Sequence, residues 1–267
     1  MSSIPSRSTP LTQGIAVVRL MVQSGYSLGV TGIARALKMP KSSVHRLLQS
    51  LQELGFVQRV ESGRYTLCAD IFDFIHEIAC NFGRNLRLDD DLRAAASQLE
   101  CSVYICMLGR RDTYVVCAAG EEGNTLRLGV HSRAHASSAG KILIAQKEPA
   151  QWEKYAPQPG DSPATPFTNE DPGQFFAELR EAKETGIAWN LRESSVNHVS
   201  LATVLSEPFI PVPRLAVALV LRQSDFEARS RADLEKSLRH LACELERQLG
   251  LHFLPQAQDA SSVRGEL

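Results

Sequence analysis

The chain has 267 residues, 43% of them hydrophobic and 22% charged, which suits two ordinary globular domains with real cores. No apolar run reaches the roughly 18–20 residues of a membrane span. Residues 1–10, rich in Ser, Pro and Arg, lack the apolar core of a secretory signal. The chain is therefore expected in the cytoplasm, with residues 1–11 and 254–267 as flexible tails. The formal net charge of −1 excludes a protein that is basic throughout, yet it hides an asymmetry. Residues 1–67 hold eight basic residues against only Glu53 and Glu61, a net of +6, so the remainder nets −7. A basic head on an acidic body points to a polyanion as the partner of the head alone. The competing reading is a set of solvated surface charges.

In chain order, the first expected element is a helix over 12–23, with Ile15, Val18, Leu20, Met21 and Val22 at helical spacing, Thr12 as its N-cap and Gly25 as its stop. A second short helix fits 30–37, with Ile33, Ala34 and Leu37 turned inward. Lys38-Met39-Pro40 breaks the pattern, and Pro40 suits the first position of a new helix. The third helix, 41–54, places Val44, Leu47, Leu48, Leu51 and Leu54 on one face, and Gly55 suits the residue after its end. Two helices, a short turn and a third helix make a helix-turn-helix. In that motif the second helix of the pair enters the major groove N-terminal end first. The residues expected there are Lys41, Ser42, Ser43, His45 and Arg46, on a helix start whose free N–H groups suit phosphate. Strands over 56–60 and 64–67 around Glu61-Ser62-Gly63 form a hairpin wing. Arg59 and Arg64 on that wing are expected to add salt-dependent phosphate contacts. The alternative is a generic three-helix bundle.

The body reads as mixed α and β. An apolar helical segment over 69–82 is expected to join the domains and to pack on a partner. A helix follows over 88–99. Strands are expected over 103–108 and 114–119 around an Arg110-Arg111-Asp112 turn. Helices follow over 136–146 and 172–184, separated by a Pro/Gly/Thr-rich loop at 157–168. Strands over 199–205 and 215–221 precede a last helix over 228–249. This order fits an antiparallel α+β sensor domain better than a parallel nucleotide-binding sheet. Its boundaries are a winged helix-turn-helix at 12–67, a linker helix at 68–86 and a sensor domain at 87–253.

The six cysteines form no C-x-x-C pair and sit mostly in apolar stretches, as buried reduced thiols do. His131 with His135, and His76 with Cys80, are spaced i, i+4, but no third or fourth ligand is implied, so no metal is expected. Ser138-Ala139-Gly140-Lys141 matches the Ser-x-x-Lys acylating motif of penicillin-binding enzymes. Its companions Ser-Asp-Asn and Lys-Thr-Gly are absent. A hydrolase using Ser138 and Lys141 beneath a regulatory head is the alternative to a non-enzymatic regulator. No phosphate-cradling glycine loop appears, and no cofactor is expected.

The run Ile33-Ala34, Met39-Pro40-Lys41-Ser42-Ser43-Val44-His45-Arg46-Leu47-Leu48, Leu51, Leu54-Gly55-Phe56-Val57, Gly63-Arg64-Tyr65 and Leu67 resembles the head of the isocitrate-lyase-regulator (IclR) family. A second signature of that family is matched at His135-Ala136-Ser137-Ser138-Ala139-Gly140-Lys141. The resemblance spans residues 12–251. It implies a winged helix-turn-helix, a linker helix and a GAF/profilin-like effector domain. It also implies homodimers or dimers of dimers on palindromic double-stranded DNA, and small organic or aromatic acids from catabolic pathways as effectors. By the same resemblance the effector lies between the sheet and the start of the helix at Ser138. Ser138, Ala139 and Gly140 would let it approach the backbone, with Asn190, His198 and Ser200 on the facing walls and Val220 and Arg222 on the last strand. Arg222 stands where the family usually has a small hydroxyl residue. It would either hold a carboxylate bidentately or sit in solvent at the strand end. Asn197, Ala202-Thr203-Val204, Arg133-Ala134 and the proline-rich 208–213 also depart from the family pattern.

Overall fold

The computed structural model describes residues 9–60, 62–71, 88–120, 131–206 and 214–253. Chain contacts divide it into two compact units, one up to Asn81 and one from Phe82. Most of the expected linker helix, Glu61 of the wing turn, His76, Cys80 and 208–213 lie outside the described residues.

The first unit opens with α1 (Pro10–Ser24). Its N-cap is Thr9, whose hydroxyl accepts from the Thr12 N–H at 3.3 Å. The cap thus stands three residues before the expected Thr12. Pro10 at the first helical position costs no hydrogen bond there, so the helix extends back by a turn. Gly25, at φ 67°, ends it in the left-handed region. Helix α2 (Val30–Leu37) ends in the same way, with the non-glycine Lys38 at φ 52°. The Met39 N–H bonds back to Ala34 and the Lys38 N–H to Arg35, satisfying the last carbonyls. Pro40 is the extended N-cap residue of α3 (Lys41–Glu53), one place earlier than its expected first helical position. Gly55 closes α3, with the Phe56 N–H on the Leu51 carbonyl. Val17 and Met21 of α1, Ile33 and Ala34 of α2, and Val44, Leu48 and Leu51 of α3 form one core with Val57 and Tyr65. The last two belong to the antiparallel hairpin β1 (Val57–Arg59) and β2 (Tyr65–Leu67). Leu28 exchanges two backbone hydrogen bonds with Tyr65, both 2.8 Å, so the wing is anchored to the segment before α2.

The second unit is built on a six-stranded, wholly antiparallel sheet of order β5-β4-β3-β8-β7-β6. Its strands are β3 (Ser102–Leu108), β4 (Asp112–Ala119), β5 (His131–Arg133), β6 (Ala188–Leu191), β7 (His198–Leu205) and β8 (Leu215–Arg222). Helix α4 (Asp89–Leu99) precedes the sheet, α5 (Ser138–Ala145) and α6 (Pro172–Thr185) lie between β5 and β6, and α7 (Gln223–Glu227) and α8 (Arg231–Phe253) follow β8. Side-chain alternation along β8 assigns the two faces. Leu215, Val217, Leu219 and Leu221 enter a core with Leu92 of α4 and Leu234, Leu238, Leu241 and Leu245 of α8. Ala216 and Ala218 face the other way, into a core with Ile142 of α5 and Phe175 and Leu179 of α6. The second face is floored by small residues: Ala188, Ala202 and Ala218 stand side by side across β6, β7 and β8. That lets α5 pack close to the sheet. The result is the α+β architecture expected, a helix-turn-helix unit followed by a sheet domain with helices on both faces.

Candidate nucleic-acid interface and ligand cavity

On the head, Lys41, Ser42, His45 and Arg46 are exposed and Ser43 is half-buried. They occupy the N-terminal half of α3, while Val44 and Leu48 anchor the opposite face in the core. Pro40 offers no side chain to cap the first-turn N–H groups, and no acid stands in that turn. The helix start therefore presents unmet donors and partial positive charge on the same surface as two cations. Arg59 is exposed on β1. Arg64 is placed differently: its Nε donates to the Ser27 carbonyl at 3.0 Å and to the Ser27 hydroxyl at 3.1 Å, and its Nη2 also donates to that carbonyl. Arg64 thus ties the wing to the loop before α2, next to the Leu28–Tyr65 bridge. A contact across 37 residues leaves no trace in local sequence pattern.

In the second unit a cavity of about 270 Å³ lies on the sheet face covered by α5. Its walls bring together Ser138 and Ala139 of α5, Asn190 of β6, His198 and Ser200 of β7, and Val220 of β8. Strand register explains this convergence, since Asn190 pairs with Ser200, Ser200 with Val220 and Val220 with Ser102 in one row across the sheet. Tyr104, Cys106, Thr113, Val115, His131, Ser132, Ser137, Ser194, Ser195 and Ala218 complete the lining and are not among the expected contacts. The alternation of Tyr104 with Cys106 on β3 and Thr113 with Val115 on β4 was a usable signal.

Two expected residues stand elsewhere. Gly140 is buried behind the cavity: a Cβ there would lie 2.2 Å from the Ala134 carbonyl oxygen and 2.6 Å from Thr113 Oγ1. Its small size serves the packing of α5 on the Ala134–Ala136 turn. Arg222 is exposed where β8 ends and α7 begins, and it lines a neighbouring cleft with Arg93, Glu100 and Asp225. Of the two readings of Arg222, the structure places it at the strand end.

The cavity's polar chemistry centres on hydroxyls. Ser138 Oγ and Ser200 Oγ share a hydrogen bond of 2.8 Å. Ser137 caps α5 by accepting the Gly140 N–H at 2.9 Å. As the first two residues of the helix, Ser138 and Ala139 have N–H groups with no intrahelical acceptor. Asn190 Nδ2 donates to Ser194 Oγ at 2.7 Å, and Ser195 Oγ lies 3.0 Å from His198 Nδ1. Among the described residues no lysine or arginine lines the cavity. An anion there would meet a helix start, hydroxyls and imidazoles.

Lys141, one turn along α5, is only 2% exposed. Its Nζ lies 2.6 Å from Glu193 Oε1 and 2.6 Å from Glu178 Oε2, and donates to the Trp189 carbonyl at 3.3 Å. Ser138 is bonded to Ser200 instead, so the Ser-x-x-Lys spacing does not assemble a nucleophile with its base. Burial pushes the Glu193 carboxyl above the usual carboxylate range, against the pull of Lys141.

His131 and His135 do not share a helix face, because His131 lies in β5 and His135 in a 3-10 turn. His131 stacks on Tyr114, while His135 is buried edge-on against Phe175. Burial lowers the His135 pKa, although Asp161 opposes the shift. Among the described residues no group of three or more His, Cys, Asp or Glu could hold a metal ion, and no helix is long and apolar enough to cross a membrane.

Comparison with known proteins covers both units. Residues 10–61 match the IclR helix-turn-helix domain, and residues 106–247 match the C-terminal domain of the bacterial transcriptional regulator IclR. The glycerol operon regulatory protein of Streptomyces coelicolor is 26% identical over 251 residues, 90% of this chain and 96% of the relative. The transcriptional repressor IclR of Escherichia coli is 26% identical over 216 residues, 76% of this chain and 77% of the relative. Among solved structures, an IclR homologue of Microbacterium hydrocarbonoxydans complexed with 4-hydroxybenzoate superposes with a TM-score of 0.65 at 17% identity, covering 91% of this chain and 100% of that one.

Proposed function

The chain belongs to the IclR family of bacterial transcriptional regulators, and on that premise we propose that it binds a palindromic operator as a homodimer or dimer of dimers and releases or engages it in response to a small organic or aromatic acid. It is a DNA-binding regulator and not an enzyme. The proposed operator contacts are Lys41, Ser42, Ser43, His45 and Arg46 in the groove and Arg59 on the wing, with Arg64 positioning the wing. The proposed effector contacts are Ser138, Ala139, Asn190, His198, Ser200 and Val220. The controlled genes would be a catabolic operon, and the site of action the cytoplasm.

One observation carries the effector reading: a cavity of about 270 Å³ opens on the first turn of α5, where unmet N–H groups and the Ser138–Ser200 hydroxyl pair converge. A carboxylate on that turn gains helix-start hydrogen bonds without a cation. The bound 4-hydroxybenzoate of the Microbacterium homologue is an acid of this size class. Dimerisation is supported by α1, whose Leu11, Ile15 and Val22 leave an apolar stripe 77%, 47% and 58% exposed. The effector would act by preferring one of two dimer geometries, since a ligand shifts an equilibrium only by its differential affinity.

The test has two parts. Sequences selected from random duplex DNA should be palindromic, and Arg46→Ala should weaken binding to them by roughly 1–3 kcal/mol, the scale of a direct base contact. A thermal-shift screen of short-chain and aromatic acids should give a stabilising ligand whose effect is lost in Ser200→Val. Stabilisation by an acid that persists unchanged in both Ser200→Val and Ser138→Ala would place the effector elsewhere.

A further inference from the structure

The Lys141 cluster takes no part in the contacts proposed above, yet it joins three elements that form or back the cavity. Lys141 comes from α5, Glu178 from α6, and Glu193 from the loop between β6 and β7. That loop, with its flanking strand ends, carries Asn190, Ser194, Ser195 and His198, four of the cavity's polar residues.

Glu193 is a node within it. Its carboxylate takes the Lys141 ammonium at 2.6 Å. Its N–H donates to Asn190 Oδ1 at 2.7 Å, and its carbonyl accepts from Thr168 Oγ1 at 2.7 Å. The preceding residue, Arg192, sits at φ 67°, a conformation that side chains rarely adopt, and its carbonyl accepts from Thr165 Oγ1 at 2.8 Å. A strained backbone of this kind persists only where its surroundings over-determine it. Glu178 is oriented in turn by Asn169 and Gln174, which donate to its Oε1.

Two carboxylates thus meet one ammonium in a site where Lys141 is 2% and Glu193 7% exposed. Glu193 Oε2 has no hydrogen-bond partner among the described residues. Burying such a set is costly, and replacing it by apolar side chains is often no worse for stability. Its geometry, however, specifies one position of the loop. We propose that Lys141 and Glu193 are positioning residues: together with Glu178 they latch the 190–198 wall onto α5 and so hold the cavity's polar groups in register, though none of the three lines the cavity. This rests on the reading of the cavity as the effector site.

The test is hydrogen exchange on the full chain without ligand, so its outcome is independent of whether an acid binds. Glu193→Ala leaves Lys141 with Glu178 as a balanced pair and is expected to fold. It should speed exchange of the 190–198 peptide by about tenfold or more while α8 and the head keep their protection. Glu193→Gln keeps the acceptor for Lys141 and should restore protection, as should Lys141→Arg. Val115→Ala, which alters the cavity lining but not the latch, should leave 190–198 as in the wild type. Should Glu193→Ala fail to fold, Glu193→Asp, shorter by one methylene, should show the same local loss. The proposal is overturned by unchanged 190–198 exchange in Glu193→Ala, by an increase spread evenly over the second unit, or by Val115→Ala loosening the loop as much.

Discussion

Gly140 offers the sharpest test of how α5 is seated. An added Cβ would stand 2.2 Å from the Ala134 carbonyl oxygen, 2.6 Å from Ala134 Cα and 2.6 Å from Thr113 Oγ1. Carbon contacts settle near 3.5–4.0 Å, so the overlap exceeds roughly an ångström. Two of the three atoms are backbone and cannot swing aside. Thr113 Oγ1 is itself bonded to Ser137 Oγ at 3.0 Å, the group that caps α5. Overpacking in a core costs typically about 1–3 kcal/mol, and a clash with backbone belongs at the upper end. For a domain of this size each kcal/mol moves the melting midpoint by roughly 2–4 °C, so Gly140→Ala should lower that of the second unit by roughly 6–12 °C. Differential scanning calorimetry of the full chain, with hydrogen exchange to assign the transition, measures it. Gly32→Ala is the control: nothing lies within 4 Å of its Cβ position, and alanine inside α2 should stabilise the head by up to about 1 kcal/mol. A Gly140→Ala midpoint within about 2 °C of the wild type would refute the close seating of α5 on the Ala134–Ala136 turn.

Three further outcomes are expected. Lys38→Gly relieves a side chain held at φ 52° and should raise the head's stability by up to about 1 kcal/mol, read as a shift in denaturant midpoint. Arg59→Ala should reduce the salt dependence of DNA binding by about one phosphate contact without moving the melting midpoint, whereas Arg64→Ala, which cuts the Ser27 tie, should lower the midpoint first. His135 has a folded pKa below its unfolded one, so its contribution to stability is complete above about pH 6.5 and is lost as pH falls below it. The melting midpoint of the second unit should therefore fall between about pH 7 and 5.5, and His135→Gln, which does not titrate, should flatten that fall.

The head was legible because its boundaries are written in residues with one conformational meaning. Gly25 and Gly55 adopt the left-handed stops assigned to them, and the break at Pro40 separates α2 from α3. The errors came from local ambiguity. Thr9 and Thr12 are equally good caps until Pro10 is weighed, and Lys38 takes a position usually left to glycine. In the second unit β3, β7 and β8 are legible as short, nearly continuous apolar runs. Strands β5 and β6, of three and four residues, are too short to show a period. The pattern predicts a last helix from 228, but a short helix, Gln223–Glu227, precedes it and the long one begins at Arg231. What local pattern could not carry was partnership across the chain: Arg64 with Ser27, Lys141 with Glu193, and Gly140 with Thr113.

The position of Arg222 changes how an anion would be held. A bidentate arginine supplies both charge and direction, and such a site would favour almost any carboxylate. With Arg222 at the strand end and Lys141 occupied by two glutamates, no lysine or arginine among the described residues stands on the cavity wall. The donors are the first turn of α5, the Ser138–Ser200 pair and the imidazoles of His131 and His198. Backbone N–H and hydroxyl donors lack the paired formal charge of an arginine fork, so selectivity would come from matching the whole ligand to fixed hydroxyls. A ligand must also displace or share the 2.8 Å bond between Ser138 and Ser200. That bond joins α5 to β7, so occupancy of the cavity would be felt by the helix whose seating depends on Gly140 and which Lys141 ties to Glu193. Under the proposed function, recognition of the acid and the seating of α5 would be one event.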